Sequence, residues 1–339
     1  MRLLTLIFAV GLITAAQARK VEITWKGDYA HNGENVWSPE NRYHASGLTK
    51  NFMNGAPEEH GKVQRGGVLN AEVLLPLAQK PLPFVILMHG CTGATDPVVR
   101  RWSQSVAKTL NDDGYGVLVL DSFTTRHVQS TCGAPNYHWG IRRVEDAYSA
   151  LDFLVDQGLA EPENVFVVGR SNGALTAIMI AEDYEVRDHQ HHFAGSFAIS
   201  PTCLGLEKSA LAARLAIFVG DKDDAVADLK ACEALHEKPG ASVRVVEFKN
   251  VTHGYEDEGA NSVFHGWRMK YDAKAAKYTM TTILELMKTK NFGSGIESAD
   301  SRLIRFGRKA YQLARWKFHN VRFAHFMSVV EVRADLTRA

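Results

Sequence analysis

The sequence predicts an α/β protein with a mostly parallel central sheet and helices on both faces. Three observations carry the prediction. The chain of 339 residues is 45% hydrophobic and 23% charged, a globular composition with room for a large core. From about residue 70, short β-type apolar runs alternate with longer amphipathic stretches, as in βαβ units. Right-handed crossovers between parallel strands then place the helices on both faces. No internal repeat is present.

The first 18 residues read as a signal peptide. Met1-Arg2 is a short positive start, residues 3–13 are apolar but too short to span a bilayer, and Ala16 and Ala18 form an A-x-A cleavage pattern. The mature chain then starts at Arg19, in a secreted or periplasmic setting. Residues 19–70 are polar and weakly periodic, with turn signals at Asn32-Gly33, Ser38-Pro39 and Asn54-Gly55, and read as a surface arm or an irregular early hairpin. Beyond them, strands are expected over 71–75, 84–89, 116–120, 164–169, 193–200, 215–220 and 242–248. Helices are expected over 98–111, 139–157, 172–183, 225–236 and 269–289. The main domain is thus expected over 19–292.

A basic extension over 293–339 completes the chain. Residues 296–339 hold nine Lys/Arg against four Asp/Glu, although the whole chain, with 39 Lys/Arg and 38 Asp/Glu, is nearly neutral. That balance carries no nucleic-acid signature. The extension fits contact with a membrane surface or partner, or a terminal helix docked on the domain.

Export changes the reading of Cys91, Cys132, Cys203 and Cys232. An oxidising compartment favours two disulfides, and four cysteines allow three pairings. No C-x-x-C spacing supports zinc, and His189, His191 and His192 read as a polar loop. Neither metal nor cofactor is expected.

The chemistry starts at Gly169-Arg170-Ser171-Asn172-Gly173, between an apolar strand and an apolar helix. A serine on such a strand–turn–helix elbow is held above the sheet, with the following backbone N–H aimed at the same spot. Its hydroxyl needs a base, and the base an orienting carboxylate; in this architecture they follow the serine in the order carboxylate, then histidine, at the ends of later strands. Asp221, Asp223 and Asp224 follow the strand over 215–220, and His253 follows the strand over 242–248. A second oxyanion donor is expected on the turn His89-Gly90-Cys91-Thr92-Gly93, giving the backbone N–H groups of Cys91 and Asn172. His89 precedes that turn and reads as structural.

These segments resemble the dienelactone hydrolase family of the α/β-hydrolase superfamily, in an exported branch with serine at the elbow. Asp121-Ser122-Phe123-Thr124-Thr125-Arg126 and Arg142-Arg143-Val144-Glu145-Asp146-Ala147 add to the likeness, which covers about residues 70–290. The resemblance implies an α/β-hydrolase fold. Gly220, Asp223 and Val226 match the family's Gly-x-x-Asp-x-x-Val, which implies Asp223 as the acid. Dienelactone hydrolases proper carry cysteine where this chain has Ser171. The family holds acidic substrates with arginines, for which Arg126 is the nearest candidate. The fold it implies sets Cys91 beside Cys132 and Cys203 beside Cys232. The expected function is therefore cleavage of a small carboxylic ester or lactone through Ser171, His253 and Asp223. The rival readings are a peptidase or acyltransferase with the same triad, and a non-catalytic binding protein.

Overall fold

The computed structural model describes residues 17–300, apart from 26–66, 79, 133–137, 183–188, 204–205, 207–209, 226–228 and 241. The apolar stretch of the expected signal peptide, Val226 and the chain from residue 301 onward lie outside the described residues.

One nine-stranded sheet organises the chain, in the order β1 (Gln17–Trp25), β2 (Gly67–Leu75), β4 (Gly116–Asp121), β3 (Leu82–Met88), β5 (Ala160–Arg170), β6 (Gly195–Ile199), β7 (Arg214–Gly220), β8 (Ser242–Lys249) and β11 (Gly295–Asp300). Its centre is β3 (Leu82–Met88), flanked by β4 (Gly116–Asp121) and β5 (Ala160–Arg170). Phe84, Val85, Ile86, Leu87 and Met88 are all fully buried, because helices cover both faces of a parallel sheet. This is why the run reads as continuously apolar rather than alternating. β6 (Gly195–Ile199), β7 (Arg214–Gly220) and β8 (Ser242–Lys249) extend the parallel half. The sheet and its helices are those of the α/β-hydrolase fold.

The helices between these strands arise from local signals. Helix α1 (Pro97–Asp112) has proline in its first turn, and Asp96 caps it by accepting the N–H groups of Val98 and Val99 at 2.8 and 3.1 Å. Helix α2 (His138–Asp156) buries Val144, Ala147, Tyr148, Leu151 and Leu154 at helical spacing. Helix α3 (Asn172–Met179) is apolar all round and lies in the core. Helix α4 (Leu229–Glu233) is a short piece continued by a tight turn over Ala234–Glu237, where a longer helix was expected.

Three parts of the strand layout depart from expectation, one of them a separate two-stranded sheet. Part of the polar stretch 19–70 forms β1 (Gln17–Trp25), antiparallel to β2 (Gly67–Leu75), which in turn pairs antiparallel with β4. The signal is an alternation: Ile23 and Trp25 are buried while Glu22 and Thr24 are exposed. A hairpin of β9 (Asn261–Phe264) and β10 (Trp267–Lys270) occupies the approach to the helix expected from 269. That helix, α5 (Ala273–Thr289), starts only where Asp272 accepts from the N–H groups of Lys274 and Ala275. Last, β11 (Gly295–Asp300) pairs parallel to β8. The sheet therefore runs past the boundary expected after residue 292, because the extension begins with a strand on an open edge.

Two disulfides, Cys91–Cys132 and Cys203–Cys232, close 41 and 29 residues of sequence separation. The first ties the loop after β3 to the loop after β4. The second lies wholly in the interior, with both cysteines fully buried. Cross-links of this span are worth roughly 2–4 kcal/mol in a chain-entropy account.

Candidate active site

β5 runs straight into Ser171, whose backbone sits at φ 51° and ψ −118°. This is a positive φ for a residue with a side chain, a conformation that costs on the order of 1–3 kcal/mol and collects at functional sites. The elbow is this sharp because α3 turns back at once: the carbonyl of Ser171 accepts from the Ala174 N–H at 2.9 Å. The flanking glycines are required by space. A Cβ on Gly169 would stand 2.0 Å from the Gly173 carbonyl oxygen, and one on Gly173 would stand 2.3 Å from that of Met88. β5, α3 and the end of β3 thus meet at the serine.

The loop after β7 carries the acid, and the loop after β8 the histidine. The two are laced together: Asp221 N–H donates to the Phe248 carbonyl at 2.9 Å and Lys222 N–H to that of Val251 at 3.0 Å. They pass so closely that a Cβ on Gly220 would fall 2.1 Å from the Val251 oxygen. This lacing sets Asp223 against the His253 ring, with both carboxylate oxygens 2.9 Å from Nδ1. A carboxylate only accepts, so Nδ1 carries the proton and Nε2 is left as an acceptor. Nε2 lies 3.1 Å from the Ser171 Oγ. His253 and Asp223 are both buried.

The other two candidate acids are engaged elsewhere. Asp224 is exposed and pairs with Arg268 on the hairpin, with Nε 3.0 Å from Oδ2. Asp221 accepts the Asn250 N–H at 2.6 Å. Of the three, Asp223 is the one that meets the His253 ring.

Cys91 lies on the loop after β3, and Asn172 is the first position of α3, directly after the serine. A Cβ on the adjacent Gly90 would lie 3.6 Å from the Cβ of Ser171, which measures how closely this loop approaches. Cys91 is bonded to Cys132, and its carbonyl accepts the Thr131 N–H at 2.8 Å, so the loop is pinned twice. Arg143, fully buried on α2, donates from Nη1 to the Asn172 Oδ1 at 2.7 Å and from Nε to the Ser122 Oγ at 3.2 Å. Burial pulls its guanidinium down to about 9, against the opposing pull of Asp146, which leaves it charged near neutrality.

His89 is held neutral beneath this loop. Its Nδ1 donates to the Gly90 carbonyl at 2.7 Å and its Nε2 accepts the Ser122 N–H at 3.3 Å. Burial, and then the Arg143 charge, hold its pKa well below the ordinary histidine value of about 6.5. A histidine depressed in the fold contributes stability that is complete above about pH 6.5 and is lost as pH falls toward the folded value. Stability measured by urea unfolding is therefore expected to fall by up to about 1.4 kcal/mol per pH unit below pH 6.5 on account of this residue. The fall is expected to be shallower in His89→Gln.

Arg126 is a correction. It does not reach the serine but forms a two-pronged bond to Asp146, at 2.8 and 2.7 Å, and donates to the Ser122 carbonyl at 2.7 Å. Its guanidinium also covers the Trp25 ring at 4.1 Å. The pairing spans twenty positions, so only the packing of α2 on the loop after β4 reveals it. Arg126 belongs to the frame rather than to the cleft.

The sequence reading missed a second buried arginine. Arg170, just before the serine, pairs its Nε with the Glu256 Oε1 at 3.0 Å, and both side chains are more than nine-tenths buried. The pair ties the elbow to the loop that carries His253. Glu256→Gln, which strands the Arg170 charge, is expected to destabilise the fold by about 3–5 kcal/mol in urea unfolding. Glu256→Leu combined with Arg170→Met is expected to recover most of that loss.

A cleft of about 140 Å³ opens at Ser171 and His253. Its far wall is the β9–β10 hairpin, which contributes Phe264, Trp267 and Met269, and its near wall is the start of α1, with Val98 and Val99. The hairpin turns at His265-Gly266, both at positive φ, as a tight two-residue loop requires. That dipeptide was the available sequence signal for the wall.

Residues 69–291 match the dienelactone hydrolase family. No curated protein matches the chain. Among solved structures, the chain is similar to a putative dienelactone hydrolase from Klebsiella pneumoniae, at 13% identity and a TM-score of 0.51, covering 66% of this chain and 95% of that one. It is also similar to a dienelactone hydrolase-like promiscuous phosphotriesterase from metagenomic libraries, at 16% identity and a TM-score of 0.53, covering 81% and 99%. At such identities these structural likenesses are of fold.

Proposed function

The chain belongs to the dienelactone hydrolase family and is an ester-type hydrolase, and on that premise we propose that it is an exported serine hydrolase of small carboxylic esters or lactones. Ser171 Oγ attacks the substrate carbonyl while His253 Nε2 takes its proton, and Asp223 stabilises the imidazolium that forms. The backbone N–H groups of Cys91 and Asn172 receive the oxyanion. His253 then protonates the leaving alcohol oxygen, and the acyl group stays on Ser171. Water, deprotonated by His253, attacks the acyl-enzyme; collapse returns the proton to Ser171 and releases the acid.

The observation that carries this reading is the unbroken contact from Asp223 through His253 to Ser171, at 2.9 and 3.1 Å. The small, largely apolar cleft supports a compact substrate. The two disulfides support an oxidising compartment, as the N-terminal pattern does.

The test is hydrolysis of p-nitrophenyl acyl esters of increasing chain length by the oxidised chain from Arg19, before and after a fluorophosphonate. Turnover with an optimum at short acyl chains, abolished by the phosphonate, is expected. Turnover that survives full modification of Ser171 would overturn the reading.

A further inference from the structure

The charge of the cleft points to a substrate class, and the inference rests on the serine-hydrolase reading above. Family resemblance leads one to look for an arginine that holds an acidic substrate. The two arginines nearest the question are both occupied. Arg126 is bound to Asp146 away from the cleft. Arg170 lines the cleft but is matched by Glu256, and its Nη1 is enclosed without a hydrogen-bond partner rather than presented to a ligand.

The charges that remain on the cleft wall are carboxylates. Asp257 lines it and is only 4% exposed. One of its oxygens accepts the Gly259 N–H at 3.1 Å, and the other has no hydrogen-bond or ion-pair partner among the described residues. Asp96, the cap of α1, lines the same cleft and spends Oδ1 on backbone N–H groups. Arg101 reaches the neighbouring Gly259 but forms no ion pair with Asp257, and its side chain is exposed. Trp267 and Phe264 line the same cleft, the Trp267 ring centroid 5.9 Å from that of His253, and their rings are electron-rich walls for a cation. A buried carboxylate without a cation is costly unless a ligand supplies one.

We propose that the cleft selects esters carrying a compact cationic group, a trimethylammonium or a protonated amine, seated between Asp257 and Trp267. An anionic substrate is disfavoured there by like charge, and an uncharged one of the same shape gains only the apolar contact.

The test compares kcat/KM for acetylthiocholine with that for its uncharged isostere, in which tert-butyl replaces trimethylammonium. A thioester bearing a carboxylate at that position is the third substrate. The cationic ester is expected to be preferred by about tenfold over the isostere, and the anionic one to be the poorest of the three. Asp257→Asn is expected to bring the first ratio close to one. A measurement independent of that variant is protection: tetramethylammonium is expected to slow fluorophosphonate labelling of Ser171 in the unaltered protein, and tert-butanol is not.

Equal rates for the cationic and neutral esters, preference for the anionic ester, or labelling indifferent to tetramethylammonium would each overturn the proposal while leaving the hydrolase reading intact. If no thioester is cleaved, the protection experiment alone decides. Failure of the phosphonate to label Ser171 at all would overturn the hydrolase reading, and this inference with it.

Discussion

Ser171→Ala is expected to fold normally and to lose about a million-fold in kcat on an activated ester, leaving the residual rate of binding and oxyanion donors alone. The fold survives because alanine is no more strained than serine at φ 51°, and the Ser171 N–H bond to the Ile199 carbonyl at 2.8 Å does not depend on the side chain. The rate falls because Ser171 Oγ is the nucleophile that meets His253 Nε2 among the described residues. Cys91, which also lines the cleft, is held in a disulfide. His253→Ala should cost about as much, and the double variant scarcely more, since serine and base act as one unit. The check is kcat for all three variants beside unfolding curves. A Ser171→Ala variant within about a hundred-fold of the parent would contradict the role assigned to it.

The second large effect is on Asp223. Asp223→Asn is expected to lower kcat by about ten-thousand-fold with the fold intact. The reason lies in the tautomer. With a carboxylate at 2.9 Å, Nδ1 must donate and Nε2 must accept. An amide can donate instead, which moves the imidazole proton to Nε2 and leaves nothing to take the proton from Ser171. Asp224→Asn removes only an exposed pair with Arg268, so it should change kcat less than about threefold. The contrast between neighbouring carboxylates is what makes the prediction discriminating. A large loss at Asp224 with a small one at Asp223 would reverse the assignment.

Much of this was legible in the sequence, for physical reasons that differ from place to place. The strands β3 to β8 announce themselves because a parallel sheet covered on both faces demands uninterrupted apolar runs. The serine elbow is legible because its glycines have no substitutes where backbones approach so closely. The order Ser171, Asp223, His253 follows from the strands that carry them, whereas the choice of Asp223 within its turn came only from family resemblance. The cysteine pairs are similar in this respect: three pairings were open until the resemblance placed the strands side by side.

Other features were hidden. β1 lies in a segment whose overall polarity masked the alternation of Ile23 and Trp25. The β9–β10 hairpin has Val263 largely exposed and mixes charged with apolar residues, so it carries little burial signal, and the helical period of α5 was extended back across it. β11 is an edge strand with Ile296 partly exposed, where little burial marks a strand in the sequence. Arginine roles were the least readable. Arg126, Arg143 and Arg170 are all buried, and each finds its partner on another element. A guanidinium can reach a carboxylate anywhere within its length, so its role is decided by packing rather than by local sequence.

The central claim is that hydrolysis passes through an acyl group carried on Ser171. The most direct measurement is to mix the oxidised protein with an ester that deacylates slowly, quench in acid, and locate the acyl mass by peptide mass spectrometry. The account predicts the acyl group on Ser171, in an amount approaching one per chain during the initial burst, and none in Ser171→Ala. Turnover with Ser171 unmodified throughout, or an acyl group recovered on a different residue, would contradict it.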